Sequence, residues 1–126
     1  ITRMTVMKPR DLLTRIEIPS TWANAEFYYE KVRDRGSWDF QLVSVAAAFQ
    51  MDGGTIRDAR IAVNGVAPYP VRLEAAERLV TGTSGDEATA NAAGEVAIDG
   101  ARALRHNDYK IPMMRNLVRR AVRSVA

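Results

Sequence analysis

The sequence predicts an α+β domain, a small antiparallel β-sheet of three to four strands with three α-helices packed on one face. Three observations carry this expectation. Residues 42–63 alternate apolar and polar side chains on either side of a turn signal, the period changes after Asn64-Gly65, and residues 114–125 carry an apolar stripe at helical spacing. Strands followed by a run of helices give an α+β order, whereas a parallel sheet would interleave the two.

The elements follow in chain order. Residues 12–18, LLTRIEI, place Leu12, Thr14, Ile16 and Ile18 on one side and Leu13, Arg15 and Glu17 on the other, which is strand spacing ended by Pro19-Ser20. After a polar loop at 20–25, EFYYEKV reads as a second strand in which Phe27, Tyr29 and Lys31 share a face. RDRGSWDF, residues 33–40, follows neither period and reads as a loop. In 42–51 Val43, Val45, Ala47, Phe49 and Met51 form one apolar face, Asp52-Gly53-Gly54 signals a hairpin, and TIRDARIAV returns with Ala59, Ile61 and Val63 inward. One buried face is therefore expected.

Helix one is expected within VRLEAAERLVTG, with Pro70 suited to the first turn, Glu74 and Arg78 as an i,i+4 pair and Gly82 at the C-terminal cap. Helix two opens at Ser84-Gly85-Asp86-Glu87, which has capping-box spacing, and runs to about Ala101 despite Gly94 in its middle. Its alanines allow neighbours to come close. In helix three Met114, Leu117, Val118, Ala121, Val122 and Val125 recur at i, i+3, i+4, i+7, i+8 and i+11, with Pro112 near the start.

Composition sets the outer bounds. A chain of 126 residues, 47% hydrophobic and 26% charged, suits one domain with a single core that needs no disulfide or structural metal. With no cysteine and one histidine, iron–sulfur ligation, cysteine zinc sites, thiol catalysis and His-rich metal clusters are excluded within this chain. Of the formal +3 charge, residues 105–126 hold +5 and the remainder −2. No run approaches the ~18 apolar residues of a membrane span, and the N-terminal stretch lacks the apolar core of a secretion signal. The chain begins with Ile, which points to a piece of something longer.

Self-sufficient chemistry is hard to find. There is no G-x-G-x-x-G, no G-x-x-x-x-G-K-[ST], no H-E-x-x-H and no G-x-S-x-G. His106-Asn107-Asp108 reads as a turn before helix three, since triad partners converge in space and are seldom sequence neighbours. Lys31, Arg33 and Arg35 alternate and would project three cations to one side of an extended segment, either to hold an anion or to form a solvated surface with Asp34 and Asp39. Arg115, Arg119 and Arg123 recur every four residues. Such a stripe would contact phosphates, meet an acidic partner, or serve as the polar face of an amphipathic helix, and no aromatics are interleaved to stack on bases.

The run Lys31-Val32-Arg33-Asp34-Arg35-Gly36-Ser37-Trp38-Asp39-Phe40, followed by Leu42-Val43-Ser44-Val45-Ala46-Ala47-Ala48, resembles the C-terminal domain of the FAD-binding subunit of molybdenum hydroxylases, the group of xanthine dehydrogenase, carbon monoxide dehydrogenase and aldehyde oxidoreductase. Three further stretches agree in order and spacing: Ala59 to Pro68, Arg72 to Glu77, and Asp108-Tyr109-Lys110-Ile111-Pro112 leading into Leu117-Val118-Arg119-Arg120-Ala121. Leu12 to Pro19 is similar to the strand that leads into that domain. The resemblance implies residues 1–126 as the C-terminal domain of a larger cytoplasmic subunit, with FAD held mainly by N-terminal domains absent from this chain.

By resemblance the domain would complete the flavin site without being active alone. Lys31 would set positive charge near the pyrimidine end of the isoalloxazine, Arg35 would assist, and Asp39 would orient both. The implied partners are the N-terminal FAD-binding domains and the molybdopterin-binding and 2Fe–2S subunits, with no nucleic acid and no membrane span. The alternative is a protein-interaction or nucleic-acid-binding module working through the basic face of helix three.

Overall fold

A computed structural model describes residues 5–126 and places four antiparallel strands in the order β1 Glu26–Val32, β2 Val43–Asp52, β3 Thr55–Asn64 and β4 Val71–Arg72. Three helices follow, α1 Glu74–Val80, α2 Glu87–Ala97 and α3 Lys110–Arg123. The expected α+β order is what forms. Between β2 and β3 the chain reverses through Gly53 and Gly54 at φ 54° and 81°, the two positive angles that a tight hairpin matched to strand twist requires. In the register Lys31 lies opposite Ser44, Tyr29 opposite Ala46, and Ala46 opposite Ala62.

Alternation decides which sheet face is covered. Val43, Val45, Phe49, Ile61 and Val63 are buried against Val80 of α1, Ala90 and Ala93 of α2, and Leu117, Val118 and Val122 of α3. The opposite face carries Phe27, Tyr29 and Lys31 with the small side chains of Ala46, Ala48 and Ala62, and Phe27 and Tyr29 stay exposed there. Trp22, in a single 3-10 turn at Ser20–Trp22, covers one end of that face with Arg60 stacked 4.9 Å from its ring centre.

Four local expectations differ from the structure, each for a physical reason. Residues 12–18 form no strand, and Leu12, Ile16 and Ile18 are exposed, because no strand edge among the described residues pairs with their backbone groups. Val71 and Arg72 join the sheet instead of opening helix one, since two positions on the free edge of β3 take them at Val63 and Ala62. Helix α2 stops at Ala97, where a tightened turn leads into Gly100 at φ 71°. Its cap is Asp86, whose carboxylate accepts the Thr89 N–H at 2.8 Å, so the Ser84–Glu87 box does not form.

Gly94 has a reason to sit mid-helix. A Cβ there would lie 2.6 Å from Cγ of Arg119 and 3.0 Å from the Arg115 carbonyl, so α2 and α3 cross where no larger residue fits. The basic stripe of α3 lies along this crossing. Arg115 pairs with Glu95 at 3.4 Å, and Glu87 takes both Arg119 at 3.2 Å and Arg123 at 2.9 Å.

Candidate functional site

One end of β1 and the loop that follows bring the sequence-predicted residues together. Leu42 donates its N–H to the Val32 carbonyl at 2.8 Å, closing residues 33–41 into a loop at the sheet end. Asp39 then straps it from inside. Its carboxylate accepts the Arg35 backbone N–H at 2.9 Å and the Arg35 guanidinium at 3.2 Å, while its own carbonyl accepts the Lys31 ammonium at 2.6 Å. The Arg35 N–H, with its guanidinium second, holds the Asp39 carboxyl below the usual carboxylate range.

Lys31, Arg35 and Asp39 therefore form one unit, with Asp39 as its hub. Arg33 does not join. The strand ends at Val32, so the alternation that would align three cations stops before Arg33 and Arg35, and Arg33 is exposed. Lys31 makes no ion pair among the described residues, and its partner is a carbonyl, which leaves its charge uncompensated.

Two residues to which sequence reasoning gave no role complete the surface. Trp38 and Phe40 are 101% and 90% exposed, and with Lys31 and Asp39 they line an open pocket of about 380 Å³. Trp38 holds φ 48°, uncommon for a side-chain-bearing residue, which turns the chain so that the next residue can face inward to Arg35. Two fully exposed aromatics beside an unpaired ammonium are an amphipathic arrangement suited to a planar, partly anionic group. The signal was in the sequence, since Trp38 and Phe40 flank Asp39 in a loop with no apolar period to bury them.

The other candidates fall elsewhere. His106 is exposed in the turn before α3, with Asn107 accepting from the Leu104 N–H at 2.6 Å. The α3 arginines are held by α2 carboxylates, which reduces the stripe as a phosphate-binding face. No helix among the described residues is long and apolar enough to cross a membrane, and no group of three or more His, Cys, Asp or Glu side chains is placed to hold a metal.

Comparison with known proteins gives a consistent picture. Residues 27–125 match the family described as CO dehydrogenase flavoprotein C-terminal domain. The carbon monoxide dehydrogenase medium chain of Hydrogenophaga pseudoflava is 29% identical over 96% of this chain and 43% of its own length. The aldehyde oxidoreductase FAD-binding subunit of Escherichia coli is 42% identical over 58% of this chain and 21% of its own. Among solved structures, carbon monoxide dehydrogenase from H. pseudoflava superimposes with a TM-score of 0.73 at 31% identity, covering 82% of this chain and 37% of the other. Quinoline 2-oxidoreductase from Pseudomonas putida gives 0.72 at 26% identity, covering 81% and 37%. The chain thus spans less than half the length of each of these relatives.

Proposed function

Because the chain belongs to the CO dehydrogenase flavoprotein C-terminal domain family, we propose that it is the C-terminal domain of a larger FAD-binding subunit of a molybdenum hydroxylase. In that subunit it would complete the flavin site and the contacts through which electrons pass from iron–sulfur clusters to FAD and on to an acceptor. The observation that carries this reading is the Asp39-strapped loop, whose two exposed aromatic side chains line one pocket with the uncompensated Lys31 ammonium of β1.

The residues present fit the ring end of the cofactor and not its phosphates. Lys31 with Trp38 and Phe40 offers a cation and aromatic surface, whereas the glycine-containing turn before α2 ends in Asp86 and Glu87, whose charge opposes a phosphate. The phosphate-holding part is accordingly assigned to the N-terminal FAD-binding domains. FAD supplies the electron-carrying chemistry when bound. Lys31 would place positive charge beside the pyrimidine edge of the ring, Arg35 and Asp39 would hold that charge in position, and Trp38 and Phe40 would shield the edge from water. The reading brings with it molybdopterin-binding and 2Fe–2S subunits as partners and a cytoplasmic location.

Lys31→Ala in the complete subunit tests it. Loss of one partly solvated charge, worth roughly 1 kcal/mol, should lower the two-electron flavin potential by about 20 mV and slow electron transfer to the acceptor, with Lys31→Arg restoring most of both. An unchanged potential with unchanged transfer would reject the assignment of Lys31.

A further inference from the structure

At the same end of the sheet but on its helix side, a cavity of about 320 Å³ opens between the β3–β4 connection, the C-terminus of α2 and the first turn of α3. Its walls are mostly apolar, with Val66 and Val71 on one side, Val96 on another, and Ile111 and Met114 closing the third. Lys110 also lines it. The Lys110 ammonium donates to the Gly65 carbonyl at 2.7 Å and makes no ion pair among the described residues. Every other base on α3 has a carboxylate partner: Arg115 has Glu95, Arg119 and Arg123 share Glu87, and Arg120 has Glu30. The loop after α2 adds Arg102 and Asp99 to the rim, one of each sign, so Lys110 leaves the lining with net positive charge.

We propose that this cavity binds a small amphipathic carboxylate, its apolar tail against Val66, Val71, Val96, Ile111 and Met114 and its carboxylate on Lys110. An apolar cleft with few convergent polar groups is the usual form of a small-molecule site, and this one is at the small end of the range. A cleft of about 320 Å³ has room for a six-carbon acid and is small for a dinucleotide. Two ammonium protons beyond the one given to Gly65 are free for a charge-assisted bond to an anion. The site is separate from the Lys31 pocket, with which it shares no lining residue.

Titration of the ¹⁵N-labelled full chain at pH 7 with sodium hexanoate, sodium acetate and 1-hexanol tests the proposal. Hexanoate should give saturable amide shifts centred on Val66, Val96 and Ile111 with a dissociation constant below about 10 mM, hexanol should bind more weakly, and acetate should not saturate. Lys110→Met, with its spectral dispersion retained, should weaken hexanoate about tenfold and leave hexanol unchanged. Ala103→Trp, at an exposed lining position, should block both and decides the matter if Lys110→Met unfolds. Shifts spread over the surface, equal binding of hexanoate and hexanol, or full hexanoate binding by Ala103→Trp would overturn the proposal.

Discussion

Removing the Glu77 carboxylate should destabilise the domain more than any surface ion pair could. Glu77 is 5% exposed, and its Oε1 accepts the Ile61 N–H at 2.9 Å on the free edge of β3, just where two-residue β4 ends. The same carboxylate takes Arg72 in a forked pair, Nε at 2.9 Å and Nη2 at 2.7 Å. Glu77→Ala leaves the Ile61 N–H buried without an acceptor, costing about 1–3 kcal/mol, and exposes stem and cavity surface worth roughly 1 kcal/mol more. The half-exposed Arg72 is given no further share because water and salt screen it.

The expected loss is therefore about 2–4 kcal/mol. Urea unfolding followed by far-UV circular dichroism should show the midpoint falling by about 1–2 M at an m-value near 2 kcal/mol/M. Glu77→Gln keeps an acceptor for Ile61 and should lose less than half as much. A Glu77→Ala midpoint within about 0.3 M of wild type would show that water satisfies Ile61 and that the edge-capping argument is wrong.

The pH dependence has a defined sign. Burial by itself pushes the Glu77 carboxyl up, but the Arg72 guanidinium and the Ile61 N–H outweigh it and hold the group below its ordinary value. Its contribution is complete above the unfolded carboxyl value of about 4.3 and is lost as pH falls through the lower folded value. The stability gap between wild type and Glu77→Gln should thus be constant from pH 7 to about 5 and shrink below about 4.

Two further substitutions probe the loop that holds the Lys31 ammonium. Gly65 holds φ 82°, and a Cβ there would meet the Leu42 carbonyl at 2.6 Å, so Gly65→Ala should cost about 2–4 kcal/mol in urea unfolding; a loss under 1 kcal/mol would mean that the loop base yields freely. Asp39→Asn removes the charge that holds Arg35, and limited trypsinolysis after Arg33 and Arg35 should accelerate severalfold while global stability changes little. Since Asp39 is held below its ordinary value of about 3.9, wild-type protection should be complete above that pH and be lost only as pH falls through the lower folded value, measured with an acid-tolerant protease. Equal cleavage of both proteins would remove Asp39 from its place as hub.

The core was legible because it depends only on period. Val43 to Phe49 and Ala59 to Val63 alternate, and both stretches form strands with the forecast faces inward. Elements whose form depends on a partner were not legible in the same way. Val71-Arg72 reads as helix on local grounds, and only the free edge of β3 makes it a strand. Residues 12–18 carry as clean an alternation as β3, yet no edge among the described residues reaches them, so a strand pattern is left with its apolar side chains exposed. Glu77 stood in a family-like stretch but without a role, because a glutamate in a helical run looks like surface until the helix is docked against a sheet edge.

Charge patterning shows the same divide, and it bears on function. Arg115, Arg119 and Arg123 stand out in sequence by their spacing of four, while Glu87 and Glu95, eight residues apart on α2, have no obvious tie to them. Once the helices cross at Gly94 the two series face each other, and a candidate ligand surface becomes an internal ladder of ion pairs. The alternation of Lys31 with Arg33 and Arg35 stops where β1 ends, Lys110 stands outside the spacing of the α3 arginines, and each lysine spends its ammonium on a backbone carbonyl at the end of the sheet, beside apolar or aromatic surface. A cation with a carboxylate partner is already part of the fold. A cation bonded only to a carbonyl still has its charge to offer, and in this chain both such lysines lie beside an opening large enough for a ligand or a neighbouring domain to reach them.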